Sequence, residues 1–261
     1  MFGYNDDMIS LSLRSSSIVC LMSAIMCLTG CNKPDTHSAS ILVFSKTAGF
    51  RHKSIPAGID CVRTIVSEFA AVDATESSEV FTSDNLSRYR AVVFLSTTGD
   101  VLDESQQGAF RQYIESGGGF VGVHAASDTE HSWPWYGDMI GAHFAGHPPV
   151  QPAVIMVEDG DHETTSMLPD RWTRTDEWYR FTRNPRKVDG IRVLASLDES
   201  TYAGGGMDGD HPCIWWRMMG RGRCWYTAGG HTDESFAEPL FREHLREGIR
   251  WAGHFDALAS R

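Results

Sequence analysis

The residues best suited to chemistry in this chain are histidines and carboxylates placed just after short apolar runs or in glycine-rich turns. His52 ends Ala48-Gly49-Phe50-Arg51-His52, and His124 ends Gly122-Val123-His124 with Ser127 and Asp128 behind it. His231 follows Gly229-Gly230, with Asp233 and Glu234 close by, and Glu177 precedes Trp178 and Tyr179. Imidazole titrates near neutrality, so His124 and His231 could take and return protons at a substrate carbon or oxygen. The same ring nitrogens bind divalent metals of the zinc type, which would polarise a carbonyl or hydroxyl. Both roles stay open for the pair, and Glu177 is a further acid/base candidate. Trp133, Trp135, Tyr136, Trp178 and Tyr179 are candidates to stack on the C–H face of a ligand, with Arg51, His52 and Asp128 binding it through polar groups. His143 and His147 have the i, i+4 spacing of a helical metal pair. Gly146 and Pro148 would end that helix, however, and the glutamate of the zinc-protease motif is missing.

For such distant residues to meet, the intervening elements must deliver them to one edge. Residues 41–44, 91–95 and 120–123 are continuous apolar runs, separated by helical patterns at 55–69 and from the Asp103 cap to 115. Strands apolar on both faces with helices between them predict an α/β fold with a parallel sheet covered on both sides. Ligands of such sheets bind beyond the carboxyl ends of the strands, where Ser45, Lys46, Arg51, His52, Thr97, Thr98, Asp100, His124 and Asp128 fall. Further strands are expected at 153–157 and 191–197. A late β-hairpin is expected around Gly220-Arg221-Gly222, and a closing helix at 239–252. Trp215, Trp216 and Trp225 read as core. The run Gly117-Gly118-Gly119 precedes a strand instead of following one, so no nucleotide is expected there.

The motifs Ala48–His52, Gly118–His124, Trp133–Gly137, Asp176–Tyr179 and Gly229–Thr232, in this order across residues 41–254, resemble the ThuA (trehalose-utilisation) family. The resemblance implies a flavodoxin-like sheet like that of class I glutamine amidotransferases. It also implies a link to disaccharide use, in company with sugar dehydrogenases that make 3-keto sugars. In the amidotransferases a cysteine nucleophile stands where this chain has His124, so thioester chemistry on glutamine is excluded. Their catalytic histidine is matched by His231, and the resemblance puts Asp233 in the place of the orienting acid. The expected activity is therefore that of a lyase, isomerase or hydrolase acting on a sugar or keto-glycoside. The alternatives are a non-catalytic carbohydrate-binding protein and a metal-dependent hydrolase of another substrate class.

The net charge of −11 over 261 residues disfavours nucleic-acid partners. Arg14, the short apolar run 18–28 and Leu28-Thr29-Gly30-Cys31 predict a lipoprotein signal over residues 1–30, with lipid on Cys31. Residues 31–40 then form a tether and 41–255 a single domain. The chain is expected to be exported and periplasm-facing, touching membrane only through the lipid. Cys61, Cys213 and Cys224 add no even framework, and no essential disulfide is expected.

Overall fold

A computed structural model of the chain describes Met1 and residues 39–255. The expected signal, the lipidated Cys31 and all but the end of the tether lie outside the described residues. From Ser40 the chain alternates strands and helices: β1 (Ser40–Phe44), α1 (Ile55–Val66), β2 (Ala71–Thr75), α2 (Ser83–Leu86), β3 (Tyr89–Leu95), α3 (Glu104–Glu115) and β4 (Gly119–Val123). A 3-10 turn, His124–Asp128, leads to α4 (Pro134–Ile140), β5 (Phe144–Gly146), β6 (Gln151–Val157), β7 (Arg171–Asp176) and β8 (Arg180–Phe181). The chain closes with β9 (Arg192–Asp198), β10 (His211–Met219), β11 (Gly222–Thr227), α5 (Asp233–Ala237) and α6 (Pro239–Ala252).

Nine strands form one sheet in the order β2-β1-β3-β4-β11-β10-β9-β6-β7. The first five run parallel, in the flavodoxin-like 2-1-3-4-5 order. The hairpin β10–β11 turns the direction, and β9, β6 and β7 continue it antiparallel. The sheet is therefore mixed: a parallel core with an antiparallel extension, where β11 is both hairpin partner and fifth parallel strand. The sequence reading missed β2 and β7 because neither is an apolar run. β2 is Ala-Val-Asp-Ala-Thr, and β7 alternates exposed and buried residues, with Arg174 and Asp176 among the buried ones.

Helices cover both faces. On β4, the ring of Phe120 meets Phe110 of α3 and Tyr136 of α4. At the adjacent Gly119 a Cβ would sit 2.3 Å from the Ala252 carbonyl of α6, on the other face. Gly119 thus lets the end of α6 come close against β4. Asp103 caps α3 reciprocally, taking the Gln106 N–H while its own N–H binds Gln106 Oε1. Cys61, Cys213 and Cys224 are buried free thiols. Among the described residues no helix is long and apolar enough to cross a membrane.

Candidate metal and acid/base centre

His124 is the first residue past β4 and adopts φ +51°. That conformation costs a residue bearing a β-carbon about 1–2 kcal/mol, and glycine would adopt it freely. The turn is held by Tyr226, whose hydroxyl donates to the His124 carbonyl at 2.9 Å. The side chain is fully buried, and Nδ1 lies 2.8 Å from the Ala228 carbonyl. A carbonyl only accepts, so Nδ1 carries the proton in the neutral ring and Nε2 presents a lone pair.

His231 reaches the same point from the loop after β11. Its backbone N–H and that of Gly230 donate to the two Asp176 oxygens, at 3.0 and 2.8 Å. Asp176 is itself fully buried, with Arg174 Nη2 3.1 Å away. A Cβ at Gly229 would meet Arg174 Nη1 at 2.3 Å and would have to displace the guanidinium from its pairs with Asp176 and Glu238. Glu177, next to Asp176, comes from the β7–β8 connection, and His52 from the β1–α1 loop.

These side chains converge. His124 Nε2 lies 3.2 Å from His231 Nδ1 and 3.5 Å from Glu177 Oε2, and His231 Nδ1 lies 3.1 Å from the same oxygen. His52 sets its ring edge-on to both imidazoles, with centroids 4.8 and 5.1 Å apart. One donor atom from each of His52, His124, Glu177 and His231 falls within 4.8 Å of all the others. A tetrahedral ion with bonds of 2.0–2.1 Å has ligand–ligand edges of about 3.3 Å, close to the 3.1–3.5 Å spacings among His124, His231 and Glu177. In the neutral ring the His124 lone pair faces the carboxylate of Glu177, a repulsion that either a proton on Nε2 or a cation between them would relieve. His52 Nδ1 is buried without a hydrogen-bond partner. These four residues can hold a metal ion.

Electrostatics agree with that reading. Burial, reinforced by His124 and His231, pushes the His52 pKa down to about 3, so this ring is a neutral donor near pH 7. Burial pushes the Glu177 carboxyl up, but hydrogen bonds and charge from His124 and His231 outweigh it and hold the group well below the usual carboxylate range. The hydrogen bond to Glu177 raises His231 against the opposing effect of its burial.

Of the residues singled out in the sequence, His124, His231, Glu177 and His52 meet. Tyr179 joins them, its ring centroid 4.2 Å from that of His124. Arg51 turns away to Glu76 at 2.6 Å, and Asp128 pairs with His131 at 2.8 Å. Trp178 and Tyr136 are sealed in the core, donating to the Gln151 and Ala126 carbonyls. Trp135 donates to Glu115 at the far end of α3, toward the amino ends of the strands, and Trp133 stacks on it. The acid beside His231 is Glu177 and not Asp233, which is exposed at the start of α5. His143 and His147 part company: His143 stacks on His131, whereas His147 Nδ1 lies 3.0 Å from Glu177 Oε1. Sequence reasoning assigned no role to Asp176. Its signal was a charged residue at an inward position of an alternating strand.

A family model described as "ThuA: Trehalose utilisation" matches residues 40–252. Among solved structures, a ThuA-like protein from Bacteroides uniformis is 24% identical, covering 85% of this chain and 94% of its own at a TM-score of 0.71. A second, from Parabacteroides merdae, is 21% identical over 82% of this chain and 90% of that one, with a TM-score of 0.68. The same fold recurs in a β-galactosidase from Bacillus circulans, at 12% identity and a TM-score of 0.53, over 82% of this chain but 31% of that one. No curated protein matches the chain.

Proposed function

The chain belongs to the ThuA trehalose-utilisation family, and from that membership we propose an enzyme of disaccharide or keto-glycoside catabolism working at a metal-assisted histidine–carboxylate centre. The observation that carries the proposal is the convergence of His52, His124, His231 and Glu177 at the carboxyl edge of the parallel strands. His52, His124 and His231 would hold a divalent ion of the zinc type. Such an ion, when bound, supplies polarisation of a sugar carbonyl or hydroxyl.

Glu177 is the proton acceptor in this reading. It stays ionised at neutral pH, and its Oε1 is held by His147. A ring ketone acidifies the neighbouring C–H. Glu177 removes that proton, and the electron pair moves onto the ketone oxygen. Return of a proton to the former carbonyl carbon, as the hydroxyl on the deprotonated carbon gives up its own proton and becomes the ketone, completes an isomerisation. Departure of a glycosidic oxygen, which takes up a proton, completes an elimination. The substrate would be supplied by a reaction that oxidises a sugar hydroxyl, the work of a sugar dehydrogenase. Lipid on Cys31 would keep the domain at a membrane surface facing the periplasm. Cys31→Ser should then move the protein from the membrane fraction to the soluble one.

The central test is metal analysis of purified protein, followed by assays on trehalose and 3-keto-trehalose with and without a chelator. Chelator-sensitive turnover of the keto sugar is expected. A protein that converts neither sugar, with zinc or without it, would remove the proposal.

A further inference from the structure

Phe50 is, among the described residues, the one aromatic side chain in the group of large apolar residues left exposed, at 66%. Exposing an aromatic ring forgoes the burial that normally stabilises it, so its place needs a reason. It is not needed to pin its own loop. That is done by the backbone: Ala48 N–H donates to the Thr98 carbonyl at 2.7 Å, and Thr98 Oγ1 donates to the Phe50 carbonyl at 2.8 Å. The ring instead stands edge-on to His52, with centroids 4.9 Å apart, beside a cavity of about 370 Å3. His52 and His231 line this cavity, and Lys53, Asp233 and Glu234 supply charges of both signs.

We propose that Phe50 is the platform on which a pyranose ring stacks while a neighbouring carbon of the same substrate reaches His52 and His231. This rests on the sugar-directed function proposed above. The cavity chemistry suits a neutral polyol: an apolar face for the C–H side of the ring, and both donors and acceptors for hydroxyls. Asp233 and Glu234 outweigh the single Lys53, so the lining is net negative and disfavours a phosphate or a carboxylate ligand. Phe50 is thus a specificity determinant and not a metal ligand.

The experiment uses the full chain, the Phe50→Ala and Phe50→Trp variants, and 3-keto-trehalose and trehalose as probes. Phe50→Ala should raise KM for the keto sugar about 10-fold with a smaller change in kcat, and leave metal content and melting temperature unchanged. Phe50→Trp should keep KM within about 3-fold and gain a sugar-dependent change in tryptophan emission relative to wild type. Wild-type kinetics in Phe50→Ala, or emission of Phe50→Trp indifferent to saturating sugar, would overturn the platform while leaving the enzyme intact. A loss of metal from Phe50→Ala would also overturn it, since the ring would then be a shield for His52. If wild type neither binds nor converts the probes, the proposed function itself falls.

Discussion

His244 and His52 are both buried imidazoles whose pKa burial drives down to about 3, yet their surroundings are opposite. His244, on α6 between Trp225 and Phe241, has Nδ1 2.7 Å from the Thr164 carbonyl and Nε2 3.3 Å from Thr227 Oγ1. Both nitrogens are satisfied and the ring is a piece of polar core. His52 keeps Nδ1 without a partner and faces two further imidazoles and a carboxylate. A buried polar atom left unpaired costs about 1–3 kcal/mol, which a core does not gain from. Low titration therefore does not separate the two regions. Unmet hydrogen-bonding capacity and convergence do.

The largest effects should come from removing that convergence. His124→Ala should weaken zinc binding by about 100-fold or more and abolish turnover, as read by competition with a chromophoric chelator. Glu177→Gln should keep the metal and lose turnover about 100- to 10,000-fold if the carboxylate is the base. Loss of metal in Glu177→Gln would instead make it a ligand. Next in size is Asp176→Ala, which removes the carboxylate holding the Gly230 and His231 amides and strands Arg174. It should destabilise the fold by about 3–5 kcal/mol in denaturant titrations and also lower metal affinity.

The comparison is sharpest in stability. His244→Leu should lower the unfolding free energy of the metal-free protein by about 1–3 kcal/mol, because the Thr164 carbonyl loses its donor. His52→Leu should leave it unchanged or raise it by about 1 kcal/mol, because an unpaired buried polar atom disappears. Equal losses in both variants would erase the distinction.

Much of this site was legible in the sequence, for a physical reason. Apolar runs fix which segments are central strands, and strand ends fix where His52 and His124 must emerge. Glycines before His231 announce a close backbone approach, which Arg174 and Asp176 turn out to impose. The aromatics were harder to place. Side-chain type does not reveal direction, and a helix start such as Pro134 can send Trp135 toward Glu115 at the far end of the sheet. The antiparallel extension was only partly visible, because β7 is half exposed and its inward positions carry Arg174 and Asp176 where apolar residues were looked for. Phe50 sits within the Ala48–His52 motif, but its exposure is a property of the folded surface alone.

The same two rings should also govern the pH dependence of the metal-free protein. His52 and His244 titrate near 6.5 when unfolded and near 3 when folded. Below pH 6.5 the unfolded chain therefore binds more protons, and stability falls toward pH 3 by roughly 1.4 kcal/mol per pH unit for each such group. His231 acts in the opposite sense. Raised by Glu177, it favours the folded state below its ordinary pKa, and that contribution is lost as pH rises through the raised value. Unfolding free energies measured between pH 7 and pH 4 should fall less steeply in His52→Leu and in His244→Leu than in wild type. Identical slopes would mean that these rings become protonated within the folded protein.

The smallest expected effect falls on the aromatics that the sequence offered for sugar contact. Trp135 is held by Glu115 and stacked by Trp133, and the Arg111 guanidinium lies 5.8 Å from its ring centroid. None of these partners belongs to the histidine–carboxylate group. Trp135→Phe should lose one hydrogen bond, about 1 kcal/mol of stability, and should leave KM for 3-keto-trehalose as it is. A rise in that KM matching the one expected from Phe50→Ala would put sugar contacts at both ends of the strands. The line drawn between a chemical rim and a packed remainder would then have to be redrawn through α4.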